Sequence, residues 1–145
     1  MDGLVPKLSW VVRSMLRFWR QTIQVLGYVA GKENEDWSEV SVDELHDRLE
    51  SNPSALLIDL RSKEEYTSGH LPGAIHIPML ELESRLDEIH GFKDKEIITM
   101  CPGGGLSLVA ADILQNAGFG DVKSLKGGTD EWTRKGYSLE STSVS

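Results

Sequence analysis

Four stretches typical of short strands alternate along the chain with stretches of helical character. The strand-like stretches cover residues 55–60, 73–78, 96–100 and 121–125, and the first of them is a near-continuous apolar run. The helical stretches cover residues 42–49, 61–66, 81–90, 107–117 and 130–135. Near-continuous apolar runs are typical of parallel strands that are buried on both faces. Their alternation with helices predicts an α/β fold, in which helices flank a central parallel β-sheet on both faces.

A different pattern occupies the start of the chain. Residues 8–30 contain no proline, and on a helical wheel their arginines fall on a polar side opposite a wide apolar side. This pattern predicts an N-terminal amphipathic helix, which the charged residues 32–36 join to the rest of the protein. The predicted segments are the helix with its acidic linker at 1–36, the folded domain at 37–138 and a flexible tail at 139–145.

Three interpretations account for the apolar side of the N-terminal helix. A membrane-spanning helix is unfavourable, because Arg13, Arg17 and Arg20 would each cost about 2.5–3.5 kcal/mol at the centre of a bilayer. The helix could pack on the domain or self-associate through residues 8–30. It could instead lie in a membrane surface as a peripheral element. As a third interpretation, it could direct import into an organelle.

The charge and the cysteine content of the chain argue against several classes of function. The chain has 145 residues and a net charge of −8. Residues 1–31 hold four basic side chains and one acidic one, which leaves −11 on the remainder and argues against nucleic acid as a partner. A single cysteine excludes an internal disulfide and a cysteine-based zinc site, and the four histidines lack metal-ligand spacing. We expect no metal, and a reducing, cytoplasmic location.

The single cysteine has the sequence context of a reactive thiol. Cys101 follows the apolar residues 97–100 and precedes Pro102, three glycines and a helical stretch. Its sulfur would face a helix N-terminus, where unpaired amides favour negative charge and hence the reactive thiolate. The glycines allow the backbone to fold around the sulfur, which a core thiol would not require. Because Pro102 has no N–H, we expect donors from Gly103 onward, around a sulfur that solvent can reach.

Three motifs, in the same order, resemble those of one known family. They are Asp59-Leu60-Arg61 with Gly69–Pro78, then Cys101–Ser107, and finally Leu125–Gly128 with Trp132. From about Val40 to Tyr137 the chain resembles the rhodanese-like domain family. The resemblance implies a single-domain rhodanese-like fold.

The resemblance also implies an activity. In this family, a residue at the position of Cys101 takes a sulfane sulfur as a persulfide and passes it to a thiol or to cyanide. The expected partners are a small sulfur donor and a thiol acceptor, with no metal or organic cofactor. The resemblance implies that the substrate-binding loop consists of Pro102, Gly103, Gly104, Gly105, Leu106 and Ser107. Arg61 is a candidate to face the substrate, although it is more easily explained by a bond to Asp59 or to nearby backbone.

One departure from the family pattern bears on the sulfur donor. Many members have an arginine where this chain has Leu106, so a dianionic donor such as thiosulfate loses a charged partner. We therefore expect a persulfide or polysulfide donor. The related phosphatases need an arginine at the position of Ser107, which makes phosphatase activity unfavourable. The alternative to a sulfurtransferase is a catalytically idle binding or regulatory module that the N-terminal helix positions.

Overall fold

The computed structural model describes residues 38–51 and 54–142. The predicted helix over 8–30 and its linker lie outside the described residues. The interpretations of that helix, and the predicted location of the protein, therefore stay predictions. Among the described helices, none is long and apolar enough to cross a bilayer.

The described residues form a five-stranded parallel sheet. The strands are β1 (Glu39–Val40), β2 (Leu56–Asp59), β3 (Ile75–His76), β4 (Glu96–Met100) and β5 (Asp121–Leu125). Their order across the sheet is β1-β5-β4-β2-β3, and all four pairings are parallel. β4 therefore lies at the centre of the sheet, with β2 and β5 as its neighbours. Chemistry in sheets of this kind gathers at the carboxyl ends of the strands.

The described residues also form four α-helices and two 3-10 helices, which lie between the strands or follow the last of them. The α-helices are α1 (Val42–Ser51), α2 (Lys63–Ser68), α3 (Leu106–Asn116) and α4 (Gly128–Arg134), and the 3-10 helices are Met79–Glu81 and Glu83–Phe92. The helix predicted over 81–90 is therefore not an α-helix. The backbone of Arg85 leaves the helical region, with φ −114° and ψ 15°, and its N–H bonds to the carbonyl of Leu82. This i→i−3 hydrogen bond is typical of 3-10 turns.

Two apolar clusters cover the two faces of the sheet, as the sequence predicts. Neighbouring residues of β4 belong to different clusters, because successive side chains of a strand point to opposite faces. Ile97 packs with Ala110 and Leu114 of α3. Ile98 packs with Leu45 of α1 and Trp132 of α4. The central strand is thus buried from both sides, which places the residue after it, Cys101, between two layers of helices.

The start of the predicted flexible tail is anchored in the structure. His70 and Glu140 exchange two backbone hydrogen bonds of 2.8 Å, and the N–H of Thr142 bonds to the carbonyl of Thr67. Leu139 lies against Gly69, where an added Cβ would be 3.2 Å from its side chain. These long-range contacts hold residues 139–142 on the domain, and they could not be inferred from the polar composition of the segment.

Candidate active site

The carboxyl end of β4 positions the single cysteine. β4 ends at Met100, whose carbonyl accepts a hydrogen bond of 2.9 Å from the N–H of Leu60 in the chain leaving β2. Cys101 is the next residue, and residues 102–105 turn the chain into α3, which begins at Leu106. The predicted strand, turn and helix are all present in this order. The sulfur consequently lies at the central strand of the sheet and beside the first turn of a helix.

Two amides and one hydroxyl surround the sulfur. The Sγ atom of Cys101 accepts hydrogen bonds from the backbone N–H groups of Gly104, at 3.1 Å, and Ser107, at 3.4 Å. The hydroxyl of Ser107 lies 3.4 Å from the same sulfur. Donors from Gly103 onward are expected from the sequence, and the amides that bond to the sulfur belong to this predicted set. They would stabilise negative charge on the sulfur.

Cys101 is buried more deeply than the sequence predicts. Only 3% of the residue is exposed, whereas we expect from the sequence a shallow, solvent-accessible position. The first turns of α3 and α4 both pack against the cysteine, which explains the difference. The groups that hydrogen-bond to its sulfur are nevertheless polar. At the surface of the loop, Gly103, Gly105 and Leu106 are exposed, Leu106 by 46%.

The first turn of α4 holds the loop in place. The N–H of Thr129 donates to the carbonyl of Cys101 and that of Asp130 to the carbonyl of Pro102, both at 3.0 Å. Gly128 approaches so closely that an added Cβ would lie 2.1 Å from the carbonyl oxygen of Cys101. Its φ of +64° is also one that residues with a side chain rarely adopt. Sequence reasoning placed Gly128 in a family motif but did not find this clamp.

Three buried hydroxyl groups lie beneath the loop. Thr99 of β4, Ser107 of α3 and Ser124 of β5 are each fully buried. The hydroxyl of Thr99 donates to the carbonyl of Ser107 at 2.7 Å, and the hydroxyls of Ser107 and Ser124 are 2.6 Å apart. Thr99 and Ser124 are direct partners across the sheet. Sequence reasoning missed both residues, although a polar residue inside an apolar run was the available signal.

Arg61 is held by a buried carboxylate. Its guanidinium bonds to both carboxylate oxygens of Asp59, at 2.8 to 3.1 Å, and to the carbonyl of Gly69 at 2.6 Å. The Asp59 side chain is fully buried, and that of Arg61 is 11% exposed. The pairing of Asp59 with Arg61 is confirmed. The substrate-facing role of Arg61 stays a prediction.

Aromatic rings pack beside this ion pair. Tyr66 stacks between His70 and His76, with ring centroids 3.9 and 4.7 Å away. His70 bonds to the carbonyl of Tyr66 and His76 to that of Arg61, both at 2.7 Å, so both histidines make the structural hydrogen bonds expected of them. Burial, followed by the negative charge of Asp59, raises the pKa of Tyr66. These rings therefore support the segment that carries the ion pair.

The family model described as the rhodanese-like domain matches residues 41–135 of this chain. The chain belongs to the rhodanese-like domain family. The geometry described above is therefore that of a rhodanese-like domain, with Cys101 at the start of its loop.

Relatives of this rhodanese-like domain include proteins named for sulfur transfer. It is 33% identical over 102 residues to a sulfurtransferase of Allochromatium vinosum, covering 70% of this chain and 94% of the relative. It is 34% identical over 97 residues to YrkF of Bacillus subtilis, covering 67% and 51%. It is also similar to the crystal structure of a thiosulfate sulfurtransferase from Pseudomonas aeruginosa, with a TM-score of 0.68, 28% identity and coverage of 77% and 22%. The chain thus spans about half of YrkF and about a fifth of the Pseudomonas protein.

The loop of this rhodanese-like domain contains no charged side chain between Pro102 and Ser107. In the part of the chain that the structure describes, no group of three or more histidine, cysteine or acidic residues is placed to hold a metal ion. The chemistry available to the site is therefore that of one sulfur atom surrounded by neutral hydrogen-bond donors.

Proposed function

We propose that this rhodanese-like domain is a sulfurtransferase that carries a sulfane sulfur as a persulfide on Cys101. The observation that carries the proposal is the set of polar groups around the sulfur. The amides of Gly104 and Ser107 donate to it, and the Ser107 hydroxyl, 3.4 Å away, can donate to it once the sulfur is ionised. Such donors stabilise an anion without being consumed. The two reacting species, the thiolate and the persulfide anion, both carry negative charge on sulfur, so the same donors serve both.

Two displacements at sulfur complete the reaction. In the first, the Cys101 thiolate attacks the outer sulfur of a donor persulfide, and the donor S–S bond breaks. The donor thiolate leaves with the electron pair, and the outer sulfur stays on Cys101 as a persulfide. In the second, an acceptor thiolate or cyanide attacks that outer sulfur, and the Cys101 thiolate leaves. The cycle requires no external oxidant or reductant, because each S–S or S–C bond formed replaces one S–S bond broken.

The neutral loop supports a persulfide or polysulfide as the donor. Thiosulfate has two negative charges, and a cationic side chain beside it would offset the cost of removing that charge from water. Leu106 occupies the exposed position at the start of α3 and supplies only apolar surface. A donor with less charge, such as a thiol persulfide, has less need of a cation. We therefore expect a lower kcat/KM for thiosulfate than for a thiol persulfide.

Intact mass measurement tests the proposed sulfur carrier. Incubating the full chain with glutathione persulfide is expected to add about 32 Da, the mass of one sulfur. Cyanide is expected to remove this mass, because it accepts the outer sulfur. Cys101→Ser is the control, and it should gain no mass, since the chain has no other cysteine. Absence of the added sulfur in the unmodified protein would contradict the proposal and favour the alternative of a binding module.

Introducing a cation into the loop tests the proposed choice of donor. Leu106→Arg is expected to raise kcat/KM for thiosulfate about tenfold. This factor corresponds to about 1.4 kcal/mol, a free energy that one favourable charge interaction near a protein surface can supply. The value for glutathione persulfide should change much less. Leu106→Gln is the matched control with a long but neutral side chain, and it should leave the ratio of the two values unchanged. A preference for thiosulfate already present in the unmodified protein would contradict the proposal.

A further inference from the structure

The buried hydroxyls beneath the loop form a chain that ends at the sulfur. Ser107 lies 3.4 Å from the sulfur of Cys101 and 2.6 Å from the hydroxyl of Ser124. Ser124 lies on β5, and among the described residues the bond to Ser107 is the one hydrogen bond of its hydroxyl. Burying a hydroxyl costs free energy that burying an apolar side chain does not. The presence of these hydroxyls is explained if they act on the sulfur to which they are connected.

The direction of the hydrogen bonds depends on the charge of the sulfur. A hydroxyl has one hydrogen to donate and can accept two. An anionic sulfur can only accept, so Ser107 must donate to it, and the oxygen of Ser107 then accepts from Ser124. Every hydroxyl hydrogen in this chain has an acceptor in that state.

With a neutral thiol, the hydrogen bonds of the hydroxyl chain can run in the opposite direction. When the S–H of Cys101 donates to Ser107, the hydroxyl of Ser107 donates to Ser124. The hydrogen of Ser124 then has no acceptor within the described residues, since Ser107 is its one hydrogen-bond partner there. A buried donor without an acceptor is costly. If the hydroxyls are not reversed, the S–H loses Ser107 as its acceptor, and the hydroxyl of Ser107 donates to a thiol sulfur that accepts only weakly. In either arrangement one donor is left without a good acceptor, so the hydroxyl chain is better satisfied when the sulfur is an anion.

We propose that Ser124 is a positioning residue that acts through Ser107 to favour the anionic form of the Cys101 sulfur. This inference rests on the proposed function, because a sulfur carrier needs both its thiolate and its persulfide to be anionic. Thr99 supports the same arrangement from the other side. Its hydroxyl donates to the carbonyl of Ser107 and so holds the first turn of α3 over Ser124.

Charged groups near the loop do not replace this chain. The surrounding elements carry ten ionisable residues, namely Asp59 and Arg61 at the end of β2, Glu96 in β4, Asp112 in α3, Asp121 and Lys123 in β5, Lys126 after β5, and Asp130, Glu131 and Arg134 in α4. In the described part of the protein, the hydrogen bonds of the sulfur involve amides and a hydroxyl only. These charged residues are the same in every variant of the test, so differences between the variants report the hydroxyls.

The test measures how fast iodoacetamide alkylates Cys101 as a function of pH, in the full chain and without a sulfur donor. The thiolate is the species that reacts, and the single cysteine makes the added mass unambiguous. Ser124→Ala is expected to slow alkylation about threefold on the acid side of the profile and to move the midpoint upward by about half a pH unit, the size of one modest hydrogen-bond effect. Ser124→Thr keeps the hydroxyl and should restore the profile.

The Ser107→Ala background decides whether Ser124 acts through Ser107. In that background, Ser124→Ala should have no further effect, because the link to the sulfur is already lost. An unchanged profile in Ser124→Ala, or an equal shift in both backgrounds, would overturn the proposal. Ser84→Ala, at an exposed serine of the second 3-10 helix, is the control for serine replacement and should match the unmodified protein. Alkylation needs no sulfur donor, so this outcome is independent of the persulfide mass test.

Discussion

Replacing Gly128 with alanine is expected to lower the free energy of unfolding by about 3 kcal/mol or more and to abolish sulfur loading of Cys101. Two costs combine at this position. The φ of +64° is unfavourable for any residue with a Cβ, at about 1–2 kcal/mol. The added Cβ would also lie 2.1 Å from the carbonyl oxygen of Cys101 and 2.5 Å from that of Pro102, and such overpacking costs typically about 1–3 kcal/mol.

The clash involves backbone atoms, so it cannot be relieved by rotating a side chain. The carbonyl of Cys101 must move away, and with it the hydrogen bond from Thr129 and the positions of the amides around the sulfur. The loss of sulfur loading is therefore expected to exceed what the lower stability alone would cause.

Gly136→Ala is the matched control for Gly128→Ala. Gly136 has a similar φ of +77°, but nothing lies within 4 Å of the position of its added Cβ. It should cost only about 1–2 kcal/mol, the strain of the left-handed backbone, and leave sulfur loading intact. Chemical unfolding and the persulfide mass measurement give both quantities. Equal effects of the two alanine variants would show that the close approach of Gly128 to the loop is not important.

Removing the carboxylate of Asp59 is expected to lower the free energy of unfolding by about 3–5 kcal/mol, because Asp59→Ala leaves the guanidinium of Arg61 largely buried without its counter-charge. Both oxygens of Asp59 bond to that guanidinium, and the Asp59 side chain is fully buried. Arg61→Leu should be destabilising for the same reason, since it leaves the carboxylate unpaired.

The double variant separates the cost of an unpaired charge from the value of the pair. Asp59→Leu/Arg61→Leu is expected to be more stable than Asp59→Ala, since no buried charge is left alone. Glu131→Ala breaks a surface ion pair with Arg134, whose side chain is 68% exposed, and should change stability little. Urea unfolding of each variant gives the values. If Asp59→Ala were as mild as Glu131→Ala, the buried pair would not stabilise the fold.

Elements with a strong local pattern were predicted to within a few residues. The strands predicted over 96–100 and 121–125 coincide with β4 and β5. The helix predicted over 107–117 is α3, displaced by one residue. The run over 73–78 forms a strand only at Ile75 and His76, since β3 pairs with β2 alone and is an edge of the sheet.

The loop after Cys101 could also be predicted from the sequence, whereas the contacts that hold the loop in place could not. A strand, a cysteine, three glycines and a helix follow one another in the chain, so their juxtaposition is local. The clamp joins Gly128 to Cys101, and the hydroxyl chain joins Ser124 to Ser107. Each of these contacts spans a β-strand and a connection, and it depends on which strands are neighbours and in which register they pair.

By itself, the sequence determined the class of fold, the family and the placement of the single cysteine between a strand and a helix, because these depend on residue periodicity and on contiguous motifs. Only the tertiary structure decided how deeply Cys101 is buried, which amides reach it and which hydroxyls lie beneath it. The physical reason is that hydrogen bonding requires atoms to meet within a few tenths of an ångström. That condition is met by the packing of α3 and α4 against the ends of β4 and β5, and no local pattern in the chain encodes it.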